Sequence, residues 1–230
     1  MAELVNKVIG SARGKVGDVV FKRHKNGKVF FSTHKGYNEI SNSKKCVDNR
    51  TRFNRAVNFA KAVNSLPELR EIWKYSNIEG RSAYTKIMSY NIKLFHDTNP
   101  ARTNKISPPG FGFHADNFII TNNSISVDVK LVQNFKELRN IKFTANFVVA
   151  LSERKPDMEE FSFPYAVAVS EYTPVLDSEY QNVTAVFNTF ERDNVEAYTK
   201  AMVFIAFTNT EAKPYIHSSS LARGMDIIQT

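Results

Sequence analysis

Ile125-Ser-Val-Asp-Val-Lys-Leu131 alternates strictly: Ile125, Val127, Val129 and Leu131 are apolar, and Ser126, Asp128 and Lys130 between them are polar. Successive side chains of a strand point to opposite faces, so this pattern buries one face and leaves the other in water. Six further stretches around it read as strands, at 117–121, 142–151, 161–170, 183–190, 200–208 and 215–218. Asn122-Asn123 gives a tight-turn signal, and several other gaps carry Pro, Asp or Asn. Seven strands with no convincing helix between them predict an antiparallel β-sandwich, Ig-like or jelly-roll-like, over 114–230. The stretch 190–197 is expected to form at most a turn.

Upstream, the period changes. Phe53, Ala56, Val57, Ala60 and Val63 recur at helical spacing, with Arg50, Arg52, Arg55 and Lys61 mostly outside the stripe. A second helix is expected from Ser65, where Ser65 and Glu68 have capping-box spacing and Pro67 falls in the first turn. Its apolar residues are Leu69, Ile72 and Trp73. A third helix is expected over 82–95, through Tyr84, Ile87, Met88, Ile92 and Phe95. Before these lies Asp18-Val-Val-Phe-Lys-Arg-His24, then Asn26-Gly27, then Val29-Phe-Phe-Ser-Thr33, which reads as a β-hairpin with a type I′ turn. Alternation puts Val19, Phe21 and Arg23 on one face and Val20, Lys22 and His24 on the other. The class is therefore α+β, with a basic hairpin and helical domain at 1–98 and the sandwich at 114–230. A linker at 99–113 carries Pro100, Pro108, Pro109, Gly110 and Gly112.

The 230 residues include 31 Lys+Arg against 23 Asp+Glu, and 42% are hydrophobic, which fits a folded chain and excludes collagen-like or wholly disordered classes. The charge is uneven, with a net +13 over residues 1–107 and −5 over 108–230. The longest apolar run, Ala201 to Phe207, is seven residues, where a spanning helix needs about 20. Lys7, Arg13, Lys15 and Asp18 interrupt the first 30 residues, so no export signal is read and a cytoplasmic location is expected. Cys46 is the single cysteine and has no partner for an intrachain disulfide.

Motifs for chemistry are incomplete. Gly10-Ser-Ala-Arg-Gly14-Lys15-Val16 has three residues between its glycines and Val after the lysine, where a phosphate loop needs four and then Ser or Thr. The bland alternative is a chain that bends tightly or approaches another backbone. His24, His34, His96, His114 and His217 have no helical ligand spacing, and none adjoins Cys46, so neither a metal nor a cofactor is expected. Cys46 follows Lys44 and Lys45, which favour a thiolate, but no histidine partner is defined by the sequence. Glu159-Glu160, and Asp177 with Glu179, read as solvated loop carboxylates. No catalytic residue, no enzymatic activity and no small-molecule substrate are expected.

The strongest signal is cationic. Lys22, Arg23, Lys25, Lys28 and Lys35 lie on or near the hairpin, and Lys44, Lys45, Arg50, Arg52 and Arg55 lead into the first helix. Phe30, Phe31 and Tyr37 are interleaved with them. Such a ribbon can touch phosphates and stack or wedge with its aromatics. The same charges equally keep a basic domain soluble or meet an acidic protein face, including the acidic half of a second copy. Ile227 and Ile228, in the tail Met225 to Thr230, are expected to add a strand to a neighbour and so to form an oligomer contact.

Gly14-Lys-Val-Gly-Asp-Val-Val-Phe21, Asn26-Gly-Lys-Val29 and Asn49-Arg-Thr-Arg-Phe-Asn-Arg-Ala-Val57 with Phe59-Ala60 together resemble an uncharacterised family of Bacteroidetes genomes and their phages. That family pairs a Gly-Lys-rich β-hairpin and an Arg-Phe-containing helix with a C-terminal β-sandwich. The likeness covers about the first 65 residues by motif and the rest by architecture. The chain differs at 41–48, where the family pattern has Pro and Gln. The resemblance implies no catalytic residues. It implies a phage structural component, associated with neck, ring or capsid, cytoplasmic during assembly and then in the virion. The combined expectation is a non-enzymatic assembly protein that oligomerises or binds other virion proteins, and that meets DNA or an acidic partner through its basic N-terminal part. The alternative is an intracellular β-ribbon DNA-binding protein.

Overall fold

A computed structural model describes residues 14–16, 18–23, 26, 29–33, 43–95, 100–131, 138, 141–158, 164–174, 180–211 and 213–229. The class is α+β, and the chain divides into two compact units, 1–47 and 48–230. The first unit holds an antiparallel sheet of β1 (Gly14–Val16), β2 (Val19–Arg23) and β3 (Val29–Thr33), in that order. The expected hairpin is β2–β3, and β1 adds a third strand. Val16 pairs with Val19, which leaves only Gly17 and Asp18 between the strands, a connection that a glycine favours. The β2–β3 ladder closes at Arg23 with Val29, so five residues separate these strands. Of these, Asn26 lies in a turn and the other four are outside the described residues.

The helices are α1 (Lys44–Ser65), α2 (Pro67–Tyr75) and α3 (Ala83–Asn91), with a 3₁₀ turn at Ile92–Leu94. The expected capping box at Ser65 and Glu68 does not form. Ser65 Oγ instead donates to Ala62 O at the end of α1, and the Glu68 carboxylate accepts from Thr210 Oγ1. α3 has the reciprocal box, through Ser82 and Thr85. Lys86, almost buried, donates to Lys74 O at 2.9 Å and to Ser76 O at 2.6 Å, satisfying carbonyls at the C-terminus of α2.

Two sheets follow. One has β4 (Phe113–Ile120), β5 (Ser124–Leu131) and β8 (Gln181–Val186), with β5 in the middle. The other has β6 (Phe143–Arg154), β7 (Tyr165–Tyr172) and β9 (Tyr198–Asn209), with β10 (Ile216–His217) and β11 (Leu221–Asp226) sharing the free edge of β9. All of these pairings are antiparallel. The stretch around 190 is not strand or turn but a helix, α4 (Thr189–Glu196), capped by Asn188, whose Oδ1 accepts from Glu191 N. β11 was not among the expected strands, because Arg223, Gly224 and Asp226 break its alternation.

The two sheets enclose one core. Ile125, Val127 and Val129 of β5 meet Phe143, Ala145, Phe147 and Val149 of β6 and Val203, Ile205 and Phe207 of β9. A second core lies on the opposite face of β6 and β9. There Val148, Ala150, Phe204 and Ala206 join Ala56, Phe59, Ala60 and Val63 of α1, Leu69 and Trp73 of α2, and Ile87. Phe59 is its hub, edge-on to Phe95, Tyr165 and Phe204 at centroid distances of 5.8, 6.3 and 5.3 Å. The second unit is thus three layers, helices on sheet on sheet.

The compact units divide at 47/48 and not in the Pro/Gly segment 99–113. That segment is packed into the body. Ile106 is buried, its carbonyl accepts from Trp73 Nε1 at 2.7 Å, and its N–H donates to Ser220 Oγ at 3.3 Å. Ser107 Oγ donates to Ser218 O, and Phe111 N to His217 O. Asn91 clasps the other end: its Nδ2 donates to Lys105 O, and its Oδ1 accepts from Lys105 N. Gly110 is fixed by close approach, since a Cβ there would lie 2.2 Å from His217 O. Gly110→Ala should therefore cost about 1–3 kcal/mol in chemical denaturation, the range for overpacking. An unchanged midpoint would show that this zipper does not support the body.

Candidate functional site

In the first unit, Lys22 pairs across strands with Phe30, and Phe21 with Phe31. Lys15 lies opposite Val20, two positions from Lys22, so alternation puts Lys15, Lys22 and Phe30 on one face of the ribbon. Phe21 and Phe31 share the other face. Lys15, Lys22, Phe30 and Phe31 are all exposed. Arg23 ends β2; Lys25, Lys28, Lys35 and Tyr37 lie outside the described residues. The structure thus brings together a cation pair and an aromatic ring on one face of the sheet.

α1 changes character along its length. Its buried residues are Ala56, Phe59, Ala60, Ala62 and Val63, all in its second half. The positions four and seven residues before Ala56 on the same face are Arg52 and Asn49, and Lys45 lies seven before Arg52. Arg52 donates to Asn49 Oδ1 at 3.2 Å. Lys44, Lys45, Arg50 and Arg52 are exposed and Arg55 is half-buried. Phe53 was expected in the apolar stripe but is 47% exposed, because it precedes Ala56, where the buried part of α1 begins. The first turn of α1 has two lysines and no acid, which opposes the helix dipole and favours an anion there. Phe53→Ser should change stability by less than about 0.5 kcal/mol, whereas Phe59→Ala should cost about 3–5 kcal/mol. Equal losses in urea denaturation would show that both rings are core residues.

The tail departs from expectation. Ile227 is only 7% exposed and belongs to the sandwich core, and its N–H donates to Thr199 O. Ile228 is 53% exposed, but its N–H donates to Ile120 O and it bridges Thr121. β11 pairs with β9 of the same chain, so the tail completes its own sheet and its edge is used internally.

α4 covers part of the edge strand β7. Asn194 Nδ2 donates to Tyr165 O at 2.7 Å, and the Glu191 carboxylate accepts from Val167 N. Burial pushes the Glu191 carboxyl above the ordinary value of 4.5. The protonated form is therefore favoured in the folded state, and this contribution is present below about pH 4.5 and lost as pH rises through the higher folded value. Glu191→Gln keeps an acceptor for Val167 and removes the charge. It should raise the melting temperature at pH 7 and leave it nearly unchanged at pH 4; a loss at pH 7 would mean the ionised form is the stabilising one.

No described group of three or more His, Cys, Asp or Glu side chains is arranged to hold a metal, and no described helix is long and apolar enough to cross a membrane. His217 Nε2 lies 3.2 Å from Pro109 O, and burial lowers its pKa. A cleft absent from the sequence reading lies between the end of α2 and residues 213–217, lined by Tyr75, Lys213 and Tyr215 among others. Its residues are about 140 positions apart, so no local pattern signals it. No family model and no curated protein sequence matches this chain.

Proposed function

We propose that the chain is a non-enzymatic structural protein of assembly whose basic N-terminal part contacts DNA or an acidic partner. The observation that carries this reading is the first half of α1. On the face that is core from Ala56 onward, it presents Lys45, Asn49 and Arg52 in place of apolar residues, with Phe53 exposed beside them. A helix whose packing stripe becomes cationic where it leaves the core is built to meet something anionic. A phage neck, ring or capsid-associated role comes from the resemblance of the first 65 or so residues, by analogy. A second reading, an intracellular ribbon DNA binder, is favoured by Lys15, Lys22 and Phe30 on one exposed face of the sheet, a cation-and-ring combination suited to phosphate and base contacts.

Mass by multi-angle light scattering, at about 50 and about 500 mM NaCl with and without a random duplex, separates the two readings. The assembly reading expects a discrete oligomer that forms without DNA, one that persists at high salt where apolar side chains hold it and fades there where charge does. A monomer or dimer that shifts onto DNA only at low salt favours the ribbon binder, and then Lys22, Lys25 and Lys28 to Glu should flatten the salt dependence by about one phosphate contact per charge lost. A monomer at both salts that ignores DNA defeats both readings.

A further inference from the structure

The cleft at the end of α2 has a volume of about 280 Å³, near the small end of ligand pockets, room for roughly one six-membered ring with a substituent. Its lining is Ile72, Tyr75, Ser76, Lys213, Pro214, Tyr215 and His217, with no carboxylate among them. Tyr75 and Tyr215 stand edge to face, centroids 5.4 Å apart and planes at 81°. The Lys213 ammonium lies 4.4 Å from the Tyr75 centroid and 5.7 Å from that of Tyr215. Among the described residues no carboxylate lies within 4.0 Å of it. Lys74 adds a second ammonium, 5.0 Å from the Tyr75 centroid, though it is shared with Glu71 at 3.4 Å. The cleft therefore offers an uncompensated positive charge over aromatic rings.

The charge calls for an anionic ligand, and the shape narrows the class. Tyr75 is 51% exposed, so a flat ligand stacked on it keeps its other side in water. A fully aromatic acid would leave an apolar face hydrated, whereas a pyranose turns its C–H face to the tyrosine and its hydroxyls to solvent. Ser76 Oγ donates to Trp73 O and keeps lone pairs to accept from a sugar hydroxyl. We propose that this cleft binds a carboxylate-bearing pyranose, an acidic sugar residue, whose carboxylate pairs with the Lys213 ammonium and draws it off the Tyr75 face that the sugar ring then covers. This site lies wholly in the second unit and is independent of the basic N-terminal residues.

The test is isothermal titration of the full chain with sodium glucuronate, glucose and sodium benzoate. Glucuronate should saturate with a dissociation constant on the order of 1 mM, as expected for about a dozen heavy atoms, and glucose should bind at least about tenfold more weakly. Lys213→Ala should weaken glucuronate about tenfold and Lys213→Arg should restore most of it, since each keeps or removes one charge-assisted hydrogen bond. Tyr75→Ala should weaken it while leaving the melting temperature within about 1–2 °C, because Tyr75 is a half-exposed residue. Equal binding of glucose, tighter binding of benzoate, no saturable glucuronate binding, or an unaffected Lys213→Ala variant would each overturn the proposal. The ligand series on the unaltered chain decides the matter even where a variant fails to fold.

Discussion

The rest of the second unit depends on the pairing of β6 with β9, a ladder from Thr144 with Thr208 to Arg154 with Tyr198, and both faces of β6 are buried from Ala145 to Leu151. Odd-numbered residues of both strands, such as Phe147, Val149, Val203 and Ile205, enter the core between the sheets. Even-numbered residues, such as Val148, Ala150, Phe204 and Ala206, lie under the helices. A sheet face of this kind cannot be left in water, so the helices are a required layer. The helix layer also encloses polar groups. Asn146, fully buried, donates to Thr208 Oγ1 at 2.9 Å and to Thr144 O at 3.0 Å, but its Oδ1 has no hydrogen-bond partner among the described residues. That oxygen is a cost in desolvation that the surrounding apolar burial offsets.

Legibility in the sequence follows this division. β5 was readable because it has one wet face, and its alternation states both its type and its orientation. β6 and β9 were readable as strands, but their continuous runs, Phe147-Val-Val-Ala-Leu151 and Ala201 to Phe207, also signal a strand covered on both sides. Such runs do not state what the covering layer is, so the union of helices and sheet in one body was not legible in them. The segment 99–113 has the composition of a connector, and its partners at 217–220 lie more than 100 residues away, so no local pattern reports that it is zipped in place. The failed capping box has the same origin. Glu68 reaches Thr210 across the fold instead of its own helix end, a tertiary partner overriding a local one.

The candidate site was legible to a different degree. Charge adds along a chain whatever the fold, so the cationic N-terminal half stood out at once. The ribbon's register then puts Lys22 beside Phe30, which alternation alone anticipates once β2 and β3 are paired. Phe53 was misassigned because helical spacing is a matter of angle, and a residue at the margin of a stripe is decided by how far the helix is covered. In α1 that cover begins at Ala56. The cleft with Lys213 was unreadable, since Tyr75 and Tyr215 meet only through the tertiary fold.

Edge strands bear on how such a body could associate. An open edge is a template for another chain, and here several edges are already blunted. β7 has Tyr165 and Val167 held by α4 side chains. β4 shifts register between Asp116 and Ile119, where Asn117 takes φ 48, and such a bulge breaks the regular ladder a neighbour would need. β9 is occupied by β10 and β11, and Ile228, two residues past the tail strand, closes on Ile120. Strand addition through the tail is thus satisfied within one chain. An assembly built from this body is not led by these edges, and the charge contrast between residues 1–107 and 108–230 is one source of attraction between copies. Contacts of that kind form fast and respond to salt, whereas apolar contacts at Val169, Val186 and Phe190, all exposed, would not. Association that fades with salt would accordingly be charge-led, and association that survives it uses exposed apolar side chains such as these.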